Sequence, residues 1–199
     1  MALSAFQQLV GINVIFYYSS SLWQSVGVPE EDSLLLSLFT SVINIVGTFV
    51  AILLVDRIGR RPLLLMGSAG MTVTLAATAF AFSHATVVGE EAQLSFGWGL
   101  VALTGASSFV LFYGLSWGVV VWVLLGEMFP LRFRAAAMGV ATATQWLANW
   151  LVTVSFPSLR DWNLTGSYLI YAAFAAVSFV FVWKYVQETR GKTLEEMTG

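Results

Sequence analysis

Carboxamides and aromatic rings gather in stretches of this sequence that otherwise carry only apolar residues. The first stretch holds Gln7, Gln8, Asn13, Tyr17 and Tyr18, then the run Ser19, Ser20 and Ser21. At 100° per residue on a helix, Asn13, Tyr17, Gln7 and Tyr18 fall within roughly 140° of arc, with Gln8 about 80° beyond. Carboxamides supply donors and acceptors, and aromatic faces supply stacking surface. Such a stripe suits an uncharged ligand with many hydroxyls, which needs paired hydrogen bonds and an apolar face. Gly11 inside this stretch allows a break or close packing of the helix, and the competing reading of the stripe is a set of hydrogen bonds between helices. Asn44 lies in a second apolar stretch, with Ser41 three residues before it. Trp122 comes late in a fourth. In a fifth, Trp146 and Asn149 are three apart and share a helix face, with Gln145 and Trp150 beside them.

A second set of groups is ionic. Asp56-Arg57-Ile58-Gly59-Arg60-Arg61 is a short charged patch between two uncharged runs, 33–55 and 62–83. Asp56 and Arg60 are one helical turn apart, Glu127 is within reach of Arg134 across a short loop, and Glu188 lies in the tail. These groups are placed to cross-bridge neighbouring helix ends on one side. Exposed pairs contribute only about 0–1 kcal/mol each, yet a network formed in one conformation and broken in another biases a two-state equilibrium. The plainer reading is that the arginines set topology.

The elements that must carry these groups are long and nearly free of charge. The chain has 199 residues, 58% hydrophobic and 10% charged, with a mean hydropathy of +0.80. A soluble domain carries about 25% charged residues, so lipid is the expected solvent. A soluble helical bundle would need a polar face on each helix, and none of the runs has one. The charge spacing predicts six membrane helices, over residues 2–25, 34–55, 62–84, 96–124, 135–155 and 167–184, with a tail at 187–199. The fourth is expected to be tilted or broken, because Gly97, Gly99, Gly105, Gly114 and Gly118 fall within it. Six spans put Arg57, Arg60, Arg61, Arg132, Arg134, Lys184, Arg190 and Lys192 on one side, leaving only Arg160 of the nine basic residues opposite. Both termini are then cytoplasmic by the excess of basic residues in cytoplasmic loops.

Composition also excludes several classes. The net charge of −2 argues against a nucleic-acid partner, and the absence of Cys removes disulfides and thiolate metal sites. No cofactor and no metal centre is expected. A cleaved leader is not expected either, since the first apolar run has no basic segment before it and contains Gln7, Gln8 and Asn13. Asn163-Leu164-Thr165 has the form of a glycosylation acceptor, a triplet common by chance.

Several of these strings together resemble the sugar porters of the major facilitator superfamily. Gln7-Gln8-Leu9-Val10-Gly11-Ile12-Asn13 with Phe16-Tyr17-Tyr18-Ser19 is similar to that family's seventh-helix signature, and Asp56 through Arg61 to its loop between helices eight and nine. Trp122 through Glu127-Met128-Phe129-Pro130 and Arg134 resembles the end of the tenth helix. Gln145-Trp146-Leu147-Ala148-Asn149 resembles the eleventh helix, and Glu188 through Glu195 the closing motif. The resemblance covers essentially the whole chain and is strongest to bacterial glucose and xylose transporters of the cell membrane.

The resemblance implies an all-α membrane protein forming the six-helix C-terminal half of such a fold, which moves a monosaccharide by alternating access and is not an enzyme. By it, Gln7, Gln8, Asn13, Asn44, Trp122 and Asn149 contact the sugar. Tyr17 and Tyr18 match an outer gate, and Trp146 a cavity aromatic. Asp56, Arg60, Arg61, Glu127, Arg134 and Glu188 match a cytoplasmic charge network. Two departures stand out. No Pro precedes Trp122 in Ser116-Trp117-Gly118-Val119-Val120-Val121, which is expected to stiffen that helix and leave Gly118 its soft point. Gln187 replaces a usual Pro, so the last helix is expected to run on into the tail. Symport is known in the family, but no acidic residue lies within a predicted span, so none is assigned to proton coupling. The other half is expected to be an N-terminal half, a separate half-chain or a second copy in a homodimer. The alternatives are a membrane sugar-binding sensor or assembly protein that does not transport, and a half with no activity.

Overall fold

Helices occupy nearly all of the residues that the computed structural model describes, 1–24, 28–88 and 91–190. They are α1 (Ala2–Leu9), α2 (Ile12–Gln24), α3 (Glu30–Ile58), α4 (Arg60–Phe82), α5 (Phe96–Leu115), α6 (Val120–Met128), α7 (Leu131–Trp162) and α8 (Leu164–Tyr185). A short antiparallel hairpin, β1 (Thr86–Val88) and β2 (Glu91–Gln93), pairs Thr86 with Gln93 between α4 and α5. It is the one exception to an all-helical architecture among the described residues. Residues 191–199, with Lys192 and most of the closing motif, lie outside the described part.

Local chemistry explains where the helices start and stop. Glu30, Glu31 and Asp32 fill the first turn of α3 and Arg57 its last, which matches the helix dipole at both ends. Pro130 precedes the first residue of α7, where its fixed φ leads into the helix. α8 ends at Tyr185 because Val186 is extended, with φ −90° and ψ 121°. The expected continuation of this helix into the tail therefore does not occur, even with Gln187 in place of Pro.

Two predicted helices are divided. Residues 2–25 form α1 and α2, separated at Val10 and Gly11. Gly11 has φ +84°, and a Cβ there would stand 2.8 Å from the Tyr171 ring, so the turn needs both the left-handed backbone and the missing side chain. Residues 96–124 are divided between α5 and α6 at Ser116, where φ −137° and ψ −83° leave the helix. The stiffening expected from the missing proline is not found. α7 shows the reverse. It outruns the predicted 135–155 at both ends and passes through Pro157.

Among the described residues, four stretches are long and apolar enough to cross a membrane: Glu30–Ile58, Arg60–Phe82, Phe96–Met128 taken across its break, and Leu164–Tyr185. The chain is a multi-pass membrane protein. The other two predicted spans carry six of the ten carboxamides, Gln7, Gln8, Asn13 and Gln24 in one and Gln145 and Asn149 in the other. α4 packs between α5 and α8, α3 lies against α5 and α2, and α1 touches both α7 and α8. Leu64, Met71, Leu75, Phe109, Trp117 and Phe156 are fully enclosed there. In lipid, close packing and hydrogen bonds rather than escape from water hold such helices together.

Candidate functional site

The break at Gly11 brings two segments of the first stretch against α7. Asn13 on α2 donates from Nδ2 to Gln8 Oε1 on α1 at 2.7 Å and to Asn149 Oδ1 on α7 at 2.7 Å. Thr153, one turn beyond Asn149, donates to the same Oδ1 at 3.2 Å. Gln8 and Asn149 are buried and Asn13 is half-buried. Pro157 has no N–H to offer the carbonyl of Thr153, four residues back. The Tyr18 hydroxyl donates to that carbonyl instead, at 3.2 Å, while its ring packs 5.0 Å from Phe156. One proline in α7 thus fixes a tyrosine on α2. Gln7 points elsewhere. It is 1% exposed and donates from Nε2 to the carbonyl of Trp117 at 2.9 Å, in the break between α5 and α6.

The charged groups converge at the α3–α4 turn. Arg60 is 8% exposed and makes a two-pronged contact with Glu127, Nε to Oε2 at 3.0 Å and Nη2 to Oε1 at 2.6 Å. Its Nη2 lies 3.0 Å from Asp56, and Nη1 donates to the carbonyl of Val55 at 3.1 Å. Glu188 caps the N-terminus of α4, accepting from the backbone N–H of Arg60 and of Arg61, each at 3.0 Å. Gly59 makes that approach possible. It has φ +103°, and a Cβ there would lie 2.6 Å from Glu188 Oε2. Burial alone would push the Glu188 carboxyl up, but backbone N–H groups of Arg190, Arg60, Arg61 and Thr189 outweigh it and hold the carboxyl below its ordinary value. The Thr189 hydroxyl donates to Glu127 Oε2 at 2.7 Å, Arg61 to the carbonyl of Trp183 at 2.7 Å, and Arg190 to the carbonyl of Arg57.

The remaining predicted site residues stand apart from these two clusters. Asn44 lies where α3 crosses α5, its Oδ1 3.1 Å from the place a Gly114 Cβ would take. Trp122 on α6 is partly covered by the core. Tyr17 and Trp146, 57% and 62% exposed, face away from the chain's own interior. Arg134 donates to the carbonyl of Phe129 at 3.2 Å, and Glu127 pairs with Arg60 rather than with Arg134. Thr153 and Thr189 enter the clusters without having been singled out. Thr153 sits one helical turn from Asn149, a spacing that could have exposed it. Thr189 depends on where the tail folds back, which no local pattern encodes.

All 199 residues match the family described as "Sugar (and other) transporter". The chain belongs to this family. It is 54% identical over 198 residues to a glucose transport protein of Synechocystis sp., covering 99% of this chain and 42% of that protein. It is 39% identical over 202 residues to the D-xylose-proton symporter of Escherichia coli K12, covering 98% of this chain and 39% of the symporter. The fold agrees. A proton:xylose symporter structure with bound 6-bromo-6-deoxy-D-glucose superposes with a TM-score of 0.84 at 37% identity, across 99% of this chain and 41% of that one. An inward-open structure of the E. coli xylose transporter gives 0.82 at 39% identity, across 98% and 40%. The chain thus spans about two fifths of the length of these family members.

Proposed function

We propose that this chain forms the six-helix C-terminal half of a transporter that moves a monosaccharide, glucose or xylose, by alternating access. The observation that carries this reading is Asn13, which joins Gln8 on α1 and Asn149 on α7 through carboxamide hydrogen bonds. A ring of carboxamides from separate helices can exchange its internal bonds for bonds to sugar hydroxyls. The similarity to a glucose transport protein and a D-xylose-proton symporter supports the choice of ligand. Gln7, Gln8, Asn13, Asn44, Trp122 and Asn149 form the sugar-facing set, with Tyr17, Tyr18 and Trp146 as gate and cavity aromatics.

In this reading α1 with α2, α3, α4, α5 with α6, α7 and α8 each make one span of a bundle over residues 1–186, and 187–199 is a cytoplasmic tail. Phe6 packs 5.4 Å from Phe181, near the end of α8, which supports both termini lying on one side. That side is the cytoplasm of a bacterial inner membrane. The partner is an N-terminal half, in the same polypeptide or another, or a second copy. Leu38, Phe39, Phe49 and Leu53 on α3 and Leu147, Trp150 and Leu151 on α7 are exposed apolar surface available to that partner or to lipid. Asp56, Arg60, Arg61, Glu127, Arg134 and Glu188 form a cytoplasmic latch that closes in one of the two access states. Titration calorimetry of the full chain with glucose, xylose and a charged sugar phosphate tests the ligand class. Saturable binding of a neutral sugar, lost in Asn149→Ala, is expected. Binding of neither neutral sugar would overturn the reading.

A further inference from the structure

Trp117 sits in the break between α5 and α6 and is wholly enclosed, with no exposed surface. Its carbonyl and its indole N–H both bond outside the local chain. In an unbroken helix its carbonyl would accept from the N–H of residue 121, but here it accepts from Gln7 Nε2 on α1 at 2.9 Å. Its indole Nε1 donates to Ser68 Oγ on α4 at 2.9 Å and lies 3.3 Å from the carbonyl of Leu64. Ser68 in turn is 3.0 Å from Ser178 Oγ on α8. Room for the break comes from α4, because a Cβ on Gly67 would stand 1.8 Å from Ser116 Oγ. Backbone groups freed by a helix break inside a membrane must find partners in neighbouring helices. Here the Trp117 carbonyl finds its partner in Gln7 on α1, while the Phe112 carbonyl accepts from the Ser116 hydroxyl at 2.6 Å within the break.

We propose that Trp117 is a positioning residue for the carboxamide site, tying α1 and α6 to the α4–α8 core through Gln7, Ser68 and Ser178. The inference rests on the sugar-binding reading above and extends it to residues that do not touch sugar. Gln7 adjoins Gln8, the acceptor of Asn13, so fixing Gln7 fixes the α1 arm of the cluster. Trp122 stands five residues beyond Trp117, so the same anchor fixes the α6 arm. On this account Gln7 positions α1 through its Nε2 bond to Trp117, and Gln8 and Asn13 present carboxamides that exchange their bonds for sugar hydroxyls.

Trp117→Phe keeps the ring and deletes the indole N–H, while Ser68→Ala deletes its acceptor. Each is expected to weaken glucose or xylose binding about tenfold, the size of one buried hydrogen bond. The double variant should be no weaker than Trp117→Phe alone, and maximal transport rate should fall less than apparent affinity. Ser68→Ala provides the measurement should Trp117→Phe fail to fold. Unchanged sugar affinity in folded Trp117→Phe or Ser68→Ala, or additive losses in the double variant, would overturn the proposal. If the wild-type chain binds neither sugar, the functional reading fails and the indole proton of Trp117 decides the tether by nuclear magnetic resonance. Its resonance moves in both Ser68→Ala and Gln7→Leu if the tether holds, and stays in place in either one if it does not.

Discussion

At the scale of single residues, two positions carry most of the local argument, Asn13 and Gly59. Asn13→Ala leaves the Gln8 oxygen without its donor and the Asn149 oxygen with Thr153 alone, and an unpaired buried polar atom costs about 1–3 kcal/mol. The account predicts a roughly tenfold to hundredfold loss of sugar affinity by calorimetry, with the helical circular dichroism spectrum unchanged. Gly59→Ala forces a Cβ onto a backbone at φ +103° and into the Glu188 carboxylate. Its thermal unfolding midpoint should fall by the equivalent of about 1–3 kcal/mol. Gly126→Ala is the control, since a Cβ there meets nothing within 4 Å. Much at this scale was legible in the sequence. Gln8, Asn13 and Asn149 stood out as polar groups in apolar runs, Arg60 as a charge between two predicted helices and Glu188 as one in the tail. What was not legible is the pairing. Glu127 chose Arg60 over Arg134, because partners 67 residues apart meet only once the helices have packed.

At the scale of elements, the departures from regular helix explain where freed backbone groups and docked segments go. Pro157 leaves the carbonyl of Thr153 to Tyr18. Pro157→Ala restores an N–H that competes for it, and should loosen Tyr18, read as faster ring flipping in Tyr-labelled spectra. The tail segment is docked by charge. Glu188 accepts backbone N–H bonds that favour its ionised form, so its docked carboxyl titrates below the ordinary 4.5. Docking is therefore complete above that value and is lost as pH falls through the depressed one. Hydrogen-exchange protection of the Arg60 and Arg61 amides should fall at acidic pH in wild type. In Glu188→Gln it should be weak and nearly independent of pH. Charge spacing alone outlined most helices, and Gly11 stood out as a place for a break in the first, but neither its turn geometry nor the break at Ser116 could be read locally. Both depend on the distant residues Tyr171 and Gly67. The same spacing put the end of α7 near 155 because Pro157 reads locally as a helix stop, whereas packing carried the helix through it.

At the scale of the whole molecule, a broken first helix, a broken α5–α6 stretch and a charged cluster at the α3–α4 turn belong to one helical membrane chain that matches half of a sugar-porter fold. The polar groups gather at the breaks, and the ionic groups gather at the end where the tail returns. Sugar handled at the first cluster and closure at the second would couple only if the half rocks as a unit against a partner half. The direct measurement is counterflow of labelled glucose or xylose in sealed proteoliposomes that contain the full chain together with an N-terminal sugar-porter half. The account predicts saturable exchange by wild type, slowed in Asn13→Ala through a higher KM and in Arg60→Ala through a lower maximal rate with sugar binding intact. Sugar binding without exchange in wild type, or exchange kinetics indifferent to both substitutions, would contradict it.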